Sequence, residues 1–299
     1  MLPWLETVYQ KLLKRAEKST LHHGLLIVGP QGIGKTHFCN ALAKPLLCKP
    51  KSAHTQQKPC GECQSCHLFE AHSHPDMHRI HSEKQVGVDL VRNAIEKLLG
   101  KAQLSGNKVL IIERADTMTE SAANALLKTL EEPTDNTYLM LVSSKPERLL
   151  PTILSRCEKV VLTAPELSVC MAWLKQQGHE QVDESLVQVY NQRPFRIIEE
   201  LTKESGLTHP QFVAGIAALQ SDADQAVKLA EKWQSDADQV VLWLQHLLRN
   251  NALEQHHSES FWQCNQNLSA AVKALQNPGI NRILVLTGLL QSYRQLNQS

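Results

Sequence analysis

Gly29-Pro30-Gln31-Gly32-Ile33-Gly34-Lys35-Thr36 satisfies the pattern Gly-x4-Gly-Lys-Thr in full, and its surroundings decide how it folds. Leu25-Leu26-Ile27-Val28 ahead of it reads as a strand, and Phe38 to Leu47 behind it reads as a helix. A strand that turns through glycines into a helix aims backbone N–H groups at an anion, and the helix N-terminus adds positive potential. In that frame Gly29, Gly32 and Gly34 shape the loop, Lys35 reaches for β and γ phosphates, and Thr36 offers its hydroxyl to magnesium. The expected ligand is ATP or ADP with Mg2+.

Outward from this loop, short apolar runs alternate with amphipathic stretches. Strands are expected at Leu25–Val28, Met77–Ile80, Val109–Ile112, Tyr138–Val142 and Lys159–Leu162, with helices over about 36–47, 89–101 and 120–131. Strands that cross to helices build a parallel α/β sheet. Glu131-Glu132-Pro133 stops the third helix, since proline inside it loses a hydrogen bond. After Pro165 the β-branched runs cease and helical periodicity takes over, so the expected class is α/β plus all-α. Boundaries fall near 164 and, less sharply, near 205. Gln-Ser-Asp-Ala-Asp-Gln occurs from Gln220 and again from Gln234, where Ser221 and Ser235, or the aspartates beside them, read as helix N-caps.

The 299 residues suffice for two or three domains, and a formal charge of +1 marks neither a nucleic-acid arm nor an acidic tail. The N-terminus is broken by charge every few residues and has no secretion h-region, and no stretch is apolar for long enough to span a bilayer. A cytoplasmic location follows as an expectation. Eight cysteines then read as metal ligands or buried thiols rather than disulfides.

Cys60-Gly61-Glu62-Cys63-Gln64-Ser65-Cys66 spaces three thiols two residues apart, and Cys48 lies upstream. Four thiolates close a tetrahedral shell with no open position, which points to structural zinc on Cys48, Cys60, Cys63 and Cys66. An iron–sulfur cluster is the competing reading. His72, His74, His78 and His81 are irregularly spaced and read as surface or strand-edge residues, and Cys39, Cys157, Cys170 and Cys264 as packed or partly exposed free thiols.

Lys108-Val109-Leu110-Ile111-Ile112-Glu113-Arg114-Ala115-Asp116 has the shape of a Walker B strand, which in a working ATPase ends in an Asp-Glu pair. Glu113 stands where the magnesium carboxylate belongs, but Arg114 replaces the water activator, and a guanidinium is no base. Hydrolysis by this chain is expected to be weak or absent, unless Asp116 substitutes.

Asn124-Ala125-Leu126-Leu127-Lys128-Thr129-Leu130-Glu131-Glu132-Pro133 and Ser155-Arg156-Cys157, with His74-Pro75-Asp76 and Gly279-Ile280-Asn281-Arg282, resemble the clamp-loader family of AAA+ proteins along the whole chain. The resemblance implies an AAA+ P-loop domain over 1–163 with a zinc-binding insertion at 48–66. It also implies a small helical lid at 164–205 and a helical collar for oligomerisation at 206–299. It implies a place in the clamp loader of the DNA polymerase III holoenzyme, a nucleotidyltransferase at the level of the complex. The partners would be gamma or tau and delta subunits, with the sliding clamp and primer-template DNA reached through the assembly. Arg156 matches the arginine finger offered to a neighbour's γ-phosphate. Ser143 or Ser144 matches the polar sensor of that phosphate, and Arg196 the second sensor, although Arg193 and Arg196 also read as solvated helix-start residues. The missing water activator separates the chain from a catalytically active gamma or tau motor, which remains the alternative. A zinc-dependent DNA-binding module is a third reading that no basic cluster supports.

Overall fold

The computed structural model describes residues 1–49, 59–104, 106–180, 182–203, 205–221, 225–255, 259–275, 277 and 279–296. Residues 50–58 of the expected insertion and Asp222–Asp224 of the first hexapeptide lie outside them. The chain divides into two compact units, Met1–Gln181 with Gln192–Arg196, and Val182–Asn191 with Ile197–Ser299.

Five parallel strands, β1 (Gly24–Val28), β2 (Met77–Ile80), β3 (Lys108–Ile112), β4 (Thr137–Ser143) and β5 (Glu158–Val161), form the first unit's sheet in the order β2-β3-β4-β1-β5. Each expected strand is present. Around them run α1 (Glu6–Glu17), α2 (Lys35–Leu47), α3 (Gln64–Glu70), α4 (Val88–Leu99), α5 (Glu120–Glu131), α6 (Pro151–Leu154) and α7 (Leu167–Gln176). Successive side chains of a strand point to opposite faces. Leu25, Ile27, Val109, Ile111, Met140 and Val142 pack with Tyr9 and Leu12 of α1 and Phe38 and Leu42 of α2. Leu26, Leu110, Ile112, Leu139 and Leu141 pack on the other face with Val91 and Leu98 of α4 and Leu126 and Leu130 of α5. With both faces covered, β1 and β3 are buried at every position, which is why their sequences are apolar throughout instead of alternating.

Local chemistry sets the ends. The Thr119 hydroxyl accepts the Ala122 N–H at 3.0 Å to open α5, and Glu132, preceding Pro133, leaves helical geometry at φ −127°, ψ 72°. Helix α1, which sequence periodicity did not single out, is fastened by Arg15, whose guanidinium grips both Glu158 carboxylate oxygens at the start of β5. That hydrogen-bonded pairing holds the Glu158 carboxyl below the usual carboxylate range. Lys108 is buried and its ammonium donates to the Leu98 carbonyl, to the Gly100 carbonyl at 2.7 Å and to Thr134 Oγ1 at 2.9 Å, capping the end of α4; burial lowers its pKa.

The second unit is helical: α8 (Glu184–Val189), the latter part of α9 (Pro194–Leu201), α10 (His209–Ser221), α11 (Gln225–Trp233), α12 (Ala237–Gln255), α13 (Glu259–Leu275) and α14 (Arg282–Leu296). Phe212, Trp233 and Trp243 form its aromatic centre, with Phe212 ring centroids 5.5 Å and 4.9 Å from the two indoles. Cys264, Leu268, Ala271 and Leu275 of α13 are buried, as are Leu286, Leu289, Leu290 and Leu296 of α14.

The capping expectation for the hexapeptides fails where it can be examined. Ser221 closes α10 instead of opening a helix. Asp236 turns its carboxylate to Lys203 Nζ at 2.6 Å and to the Leu207 N–H at 3.1 Å, because those donors are stronger or otherwise unpaired.

Asp76 shows why a carboxylate precedes β2. It is 3% exposed and accepts the Gln103 N–H at 2.6 Å and the Leu104 N–H at 2.9 Å, tying the segment ahead of β3 to the sheet edge. Asp76→Ala removes the acceptor of two partly exposed donors that water can still reach, and is expected to cost about 1–2 kcal/mol in urea unfolding.

Candidate functional site

The loop Gly29–Gly34 leaves the C-terminal end of β1 and feeds α2 at Lys35. Gly32 and Gly34 adopt φ 84° and 93°, open to glycine at no steric cost. Neighbours also exclude a side chain: a Cβ on Gly32 collides with the Arg196 stem, and one on Gly34 meets the Phe195 ring at 2.9 Å. The Phe195 N–H donates to the Gly32 carbonyl at 3.0 Å and the Trp4 indole N–H to the Ile33 carbonyl at 3.0 Å. Phe195 stacks on His37 at 4.5 Å and contacts Trp173, which meets Trp4 edge-on. Sequence reasoning missed this aromatic border, although Phe195 stands between the two arginines it had singled out.

Lys35 is buried, and its Nζ donates to the Gly29 carbonyl at 2.7 Å, the Pro30 carbonyl at 2.8 Å and Ser144 Oγ at 2.8 Å. Burial pushes this ammonium down to about 8, against the opposing pull of Asp116. Asp116 Oδ1 accepts from Ser143 Oγ at 2.7 Å and from the Ser144 N–H at 3.1 Å. So the two serines at the end of β4 divide the work: Ser143 is fixed on Asp116, and Ser144 turns its hydroxyl to Lys35. Thr36 sits half-buried in the first turn of α2. Burial, reinforced by the nearby Arg196 charge, lowers the Arg193 pKa, and Arg193 in turn opposes the charge on Lys35.

The carboxylate expected at the metal position is engaged elsewhere. Glu113 pairs with Arg79 at 3.3 Å and with His81 Nδ1 at 2.7 Å, both from β2 and the segment after it. Arg114, in left-handed geometry at φ 50°, donates to the Ser82 and Glu83 carbonyls.

Arg156 lies far from the loop. Its carbonyl is 3.3 Å from the position of a Cβ on Gly24, at the N-terminal end of β1, and Glu158 pairs with Leu25 in the parallel register. The P-loop begins five residues further along β1, about 16 Å away at strand rise. The Arg156 guanidinium pairs with Glu131 at 2.5 Å and donates to the Thr152 carbonyl at 3.1 Å.

The thiols of Cys48, Cys60, Cys63 and Cys66 converge, all four sulfurs lying within 4.8 Å of one another. Cys48 Sγ is 3.5 Å from Cys60 Sγ and 4.0 Å from Cys63 Sγ. Bonds of about 2.3 Å to a central ion require tetrahedral edges of about 3.8 Å, so the donor set fits a four-coordinate metal ion. Cys48 comes from the end of α2, while Cys63 caps α3 and accepts the Cys66 N–H at 3.4 Å. Burial pushes the Cys48 thiol up to about 12, whereas Cys60, at the surface, is pushed down to about 6, chiefly by the Glu62 N–H. His74 corrects the surface reading made from its spacing: it is 5% exposed. Its Nδ1 accepts the Asp76 N–H at 3.1 Å, so Nε2 carries the hydrogen and donates to Ser65 Oγ at 2.6 Å, and that hydroxyl donates to the Leu47 carbonyl. This chain braces the turn between Cys63 and Cys66 against the end of α2. His72 is exposed at φ 54°. Cys39, Cys170 and Cys264 are buried and Cys157 half-buried, as expected of free thiols.

Strand order, glycine loop, buried lysine and polar end of β4 together define an AAA+ P-loop protein. A solved DNA polymerase III gamma subunit-related protein from Thermotoga maritima shares the fold, with TM-score 0.54 at 19% identity over 96% of this chain and 98% of that one. A family model described as "DNA polymerase III, delta subunit" matches residues 4–166, more than half of the sequence. Proteins named DNA polymerase III subunit delta' are 42% identical over 180 residues in Haemophilus influenzae, covering 60% of this chain and 54% of that protein. In Yersinia pestis the identity is 31% over 293 residues, covering 95% and 85%, and in Escherichia coli 40% over 178 residues, covering 58% and 52%. The alignments thus span about half the length of the Haemophilus and Escherichia relatives. The chain belongs to this DNA polymerase III delta-subunit family.

If the four thiols hold an ion, purified protein carries about one per chain by elemental analysis. Cys63→Ser should lose most of it, while Cys157→Ser, at a thiol that is not one of the four and packs against the sheet core, should keep it.

Proposed function

We propose that this chain acts as a delta' subunit of the DNA polymerase III clamp loader, lending Arg156 to ATP bound by a neighbouring gamma or tau subunit while the sliding clamp is loaded on primed DNA. The observation that carries this reading is the separation of Arg156 from the chain's own P-loop by the length of β1. A cation at that end serves no phosphate in its own loop, but it is exposed enough, at 36% of its side chain, to meet one across a subunit boundary.

The chain's own site is proposed to hold ATP or ADP through Gly29, Gly32, Gly34, Lys35 and Thr36, with Ser144 and Arg196 beside the terminal phosphate, and to turn it over weakly or not at all. Arg114 supplies no base, and Glu113 is already shared by Arg79 and His81. The active-motor alternative would need Asp116 to act, and Asp116 is committed to Ser143 and Ser144. Zinc is the ion proposed for Cys48, Cys60, Cys63 and Cys66, since four thiolates leave no coordination position open for chemistry and suit a structural role. The proposed division is a P-loop domain over 1–163, a lid over 164–205 and an oligomerising collar over 206–299, with delta among the partners. Among the described residues no helix is long and apolar enough to cross a membrane, in keeping with a proposed cytoplasmic location.

In an assembly reconstituted with gamma or tau and delta subunits, Arg156→Ala should lower turnover at the adjoining ATP site by about three orders of magnitude while gel filtration shows the complex intact. The chain alone should show no steady-state hydrolysis above background; turnover near one per second would favour the motor reading.

Lys35 gives nucleotide binding a pH signature. Below about 8 it is charged in the free chain, and above that value binding of an anion must also take up a proton. Affinity for ADP, by fluorescence titration, is therefore expected to be flat below about pH 7, to fall about twofold by about pH 8 and to weaken further beyond, up to about tenfold per unit.

A further inference from the structure

We propose that Glu131 is the resting counter-ion of Arg156: it holds the guanidinium against the chain's own surface until phosphate across the subunit boundary displaces it. This inference rests on the reading of Arg156 as a finger.

Three observations carry it. Glu131 is the last residue of α5, where the helix dipole disfavours a carboxylate and favours cations such as Lys128 one turn earlier. Helix energetics therefore give no reason for an acid at this position, and its ion pair is with Arg156 at 2.5 Å. The second observation concerns what can move. The Arg156 main chain is pinned, its N–H donating to the Ile153 carbonyl at 3.1 Å and its own carbonyl lying against Gly24, whose added Cβ would sit 3.3 Å from it. Only the side chain is free to swing, and it does so from a defined starting point, with NH1 on the Thr152 carbonyl at 3.1 Å and near Ser155 Oγ at 3.4 Å. The third is exposure. The side chains of the pair are 36% and 47% exposed, so water screens the attraction and a polyanionic phosphate outcompetes one carboxylate. A buried pair would have locked the guanidinium in place.

The resting pair lowers the fraction of assemblies whose Arg156 is free to engage, and apparent affinity falls by that fraction. An exposed ion pair shifts such an equilibrium by about 1.5- to fivefold. Glu131 is thus a positioning residue that sets how much ATP engages the finger; it leaves the transition state untouched.

The test is ATP titration of the reconstituted assembly. Glu131→Gln, which keeps shape and removes charge, should lower KM for ATP by about 1.5- to fivefold with kcat unchanged, and the shift should vanish when Arg156→Ala is also present. An unchanged or raised KM, a fall in kcat, or a shift that persists without Arg156 would overturn the proposal. The isolated chain gives an independent reading. Heteronuclear NMR should show the Arg156 guanidinium rotating more slowly in the parent than in Glu131→Gln, and equal rates would also overturn it. If Arg156→Ala leaves turnover intact while NMR still reports the pair, the finger reading fails and the pairing itself stands.

Discussion

Strand β1, hydrogen-bonded to β4 along one edge and to β5 along the other, fixes where the candidate loop residues and Arg156 lie in the first unit. Its C-terminal end releases the glycine loop, and the adjoining end of β4 delivers Ser143 and Ser144 to that loop. Its N-terminal end lies against Arg156. Because all three strands are parallel, one register decides which groups share an end of the sheet and which are held apart. A slip of one residue would reverse the faces of every side chain and bury the wrong set, so the apolar packing on both sides enforces the register.

The same register divides charge. At the loop end, Lys35, Arg193 and Arg196 gather around glycines, with Asp116 as the carboxylate that pulls on Lys35. At the other end the Arg156 guanidinium is balanced by Glu131 and that of Arg15 by Glu158. The proposed function uses one end to receive an anion and the other to lend a cation. The cysteine cluster stands apart from both, joining the end of α2 to α3 through sulfur and through the Ser65–His74 hydrogen bonds.

Much of this could be read from the amino acids, for physical reasons. The strands were legible because burial on both faces leaves unbroken apolar runs, and the loop because few backbones other than glycine reach its dihedrals. The four thiols were legible because two-residue spacing aims neighbours at one point, and the structure brings in Cys48 from the far side as expected. What stayed hidden depends on partners distant in sequence. His74 looked like one histidine among several until Ser65 and the Asp76 N–H closed around it. Glu113 sits where a metal carboxylate belongs, and nothing local announces that Arg79 and His81 claim it. Helix α1 was obscured by its many charges, since only Tyr9 and Leu12 of its own residues are buried. The hexapeptide misled because a repeated motif need not meet repeated surroundings.

The place of β1 between two later strands also has a cost during synthesis. Gly24 pairs with Leu139 and Leu25 with Glu158, so more than a hundred residues must leave the ribosome before either edge of this strand finds its partner. At common elongation rates the run Gly24–Val28 waits on the order of ten seconds with its apolar side chains uncovered. Nascent chains are thus most open to aggregation, and most in need of a chaperone, during the interval between translation of the glycine loop and translation of β4.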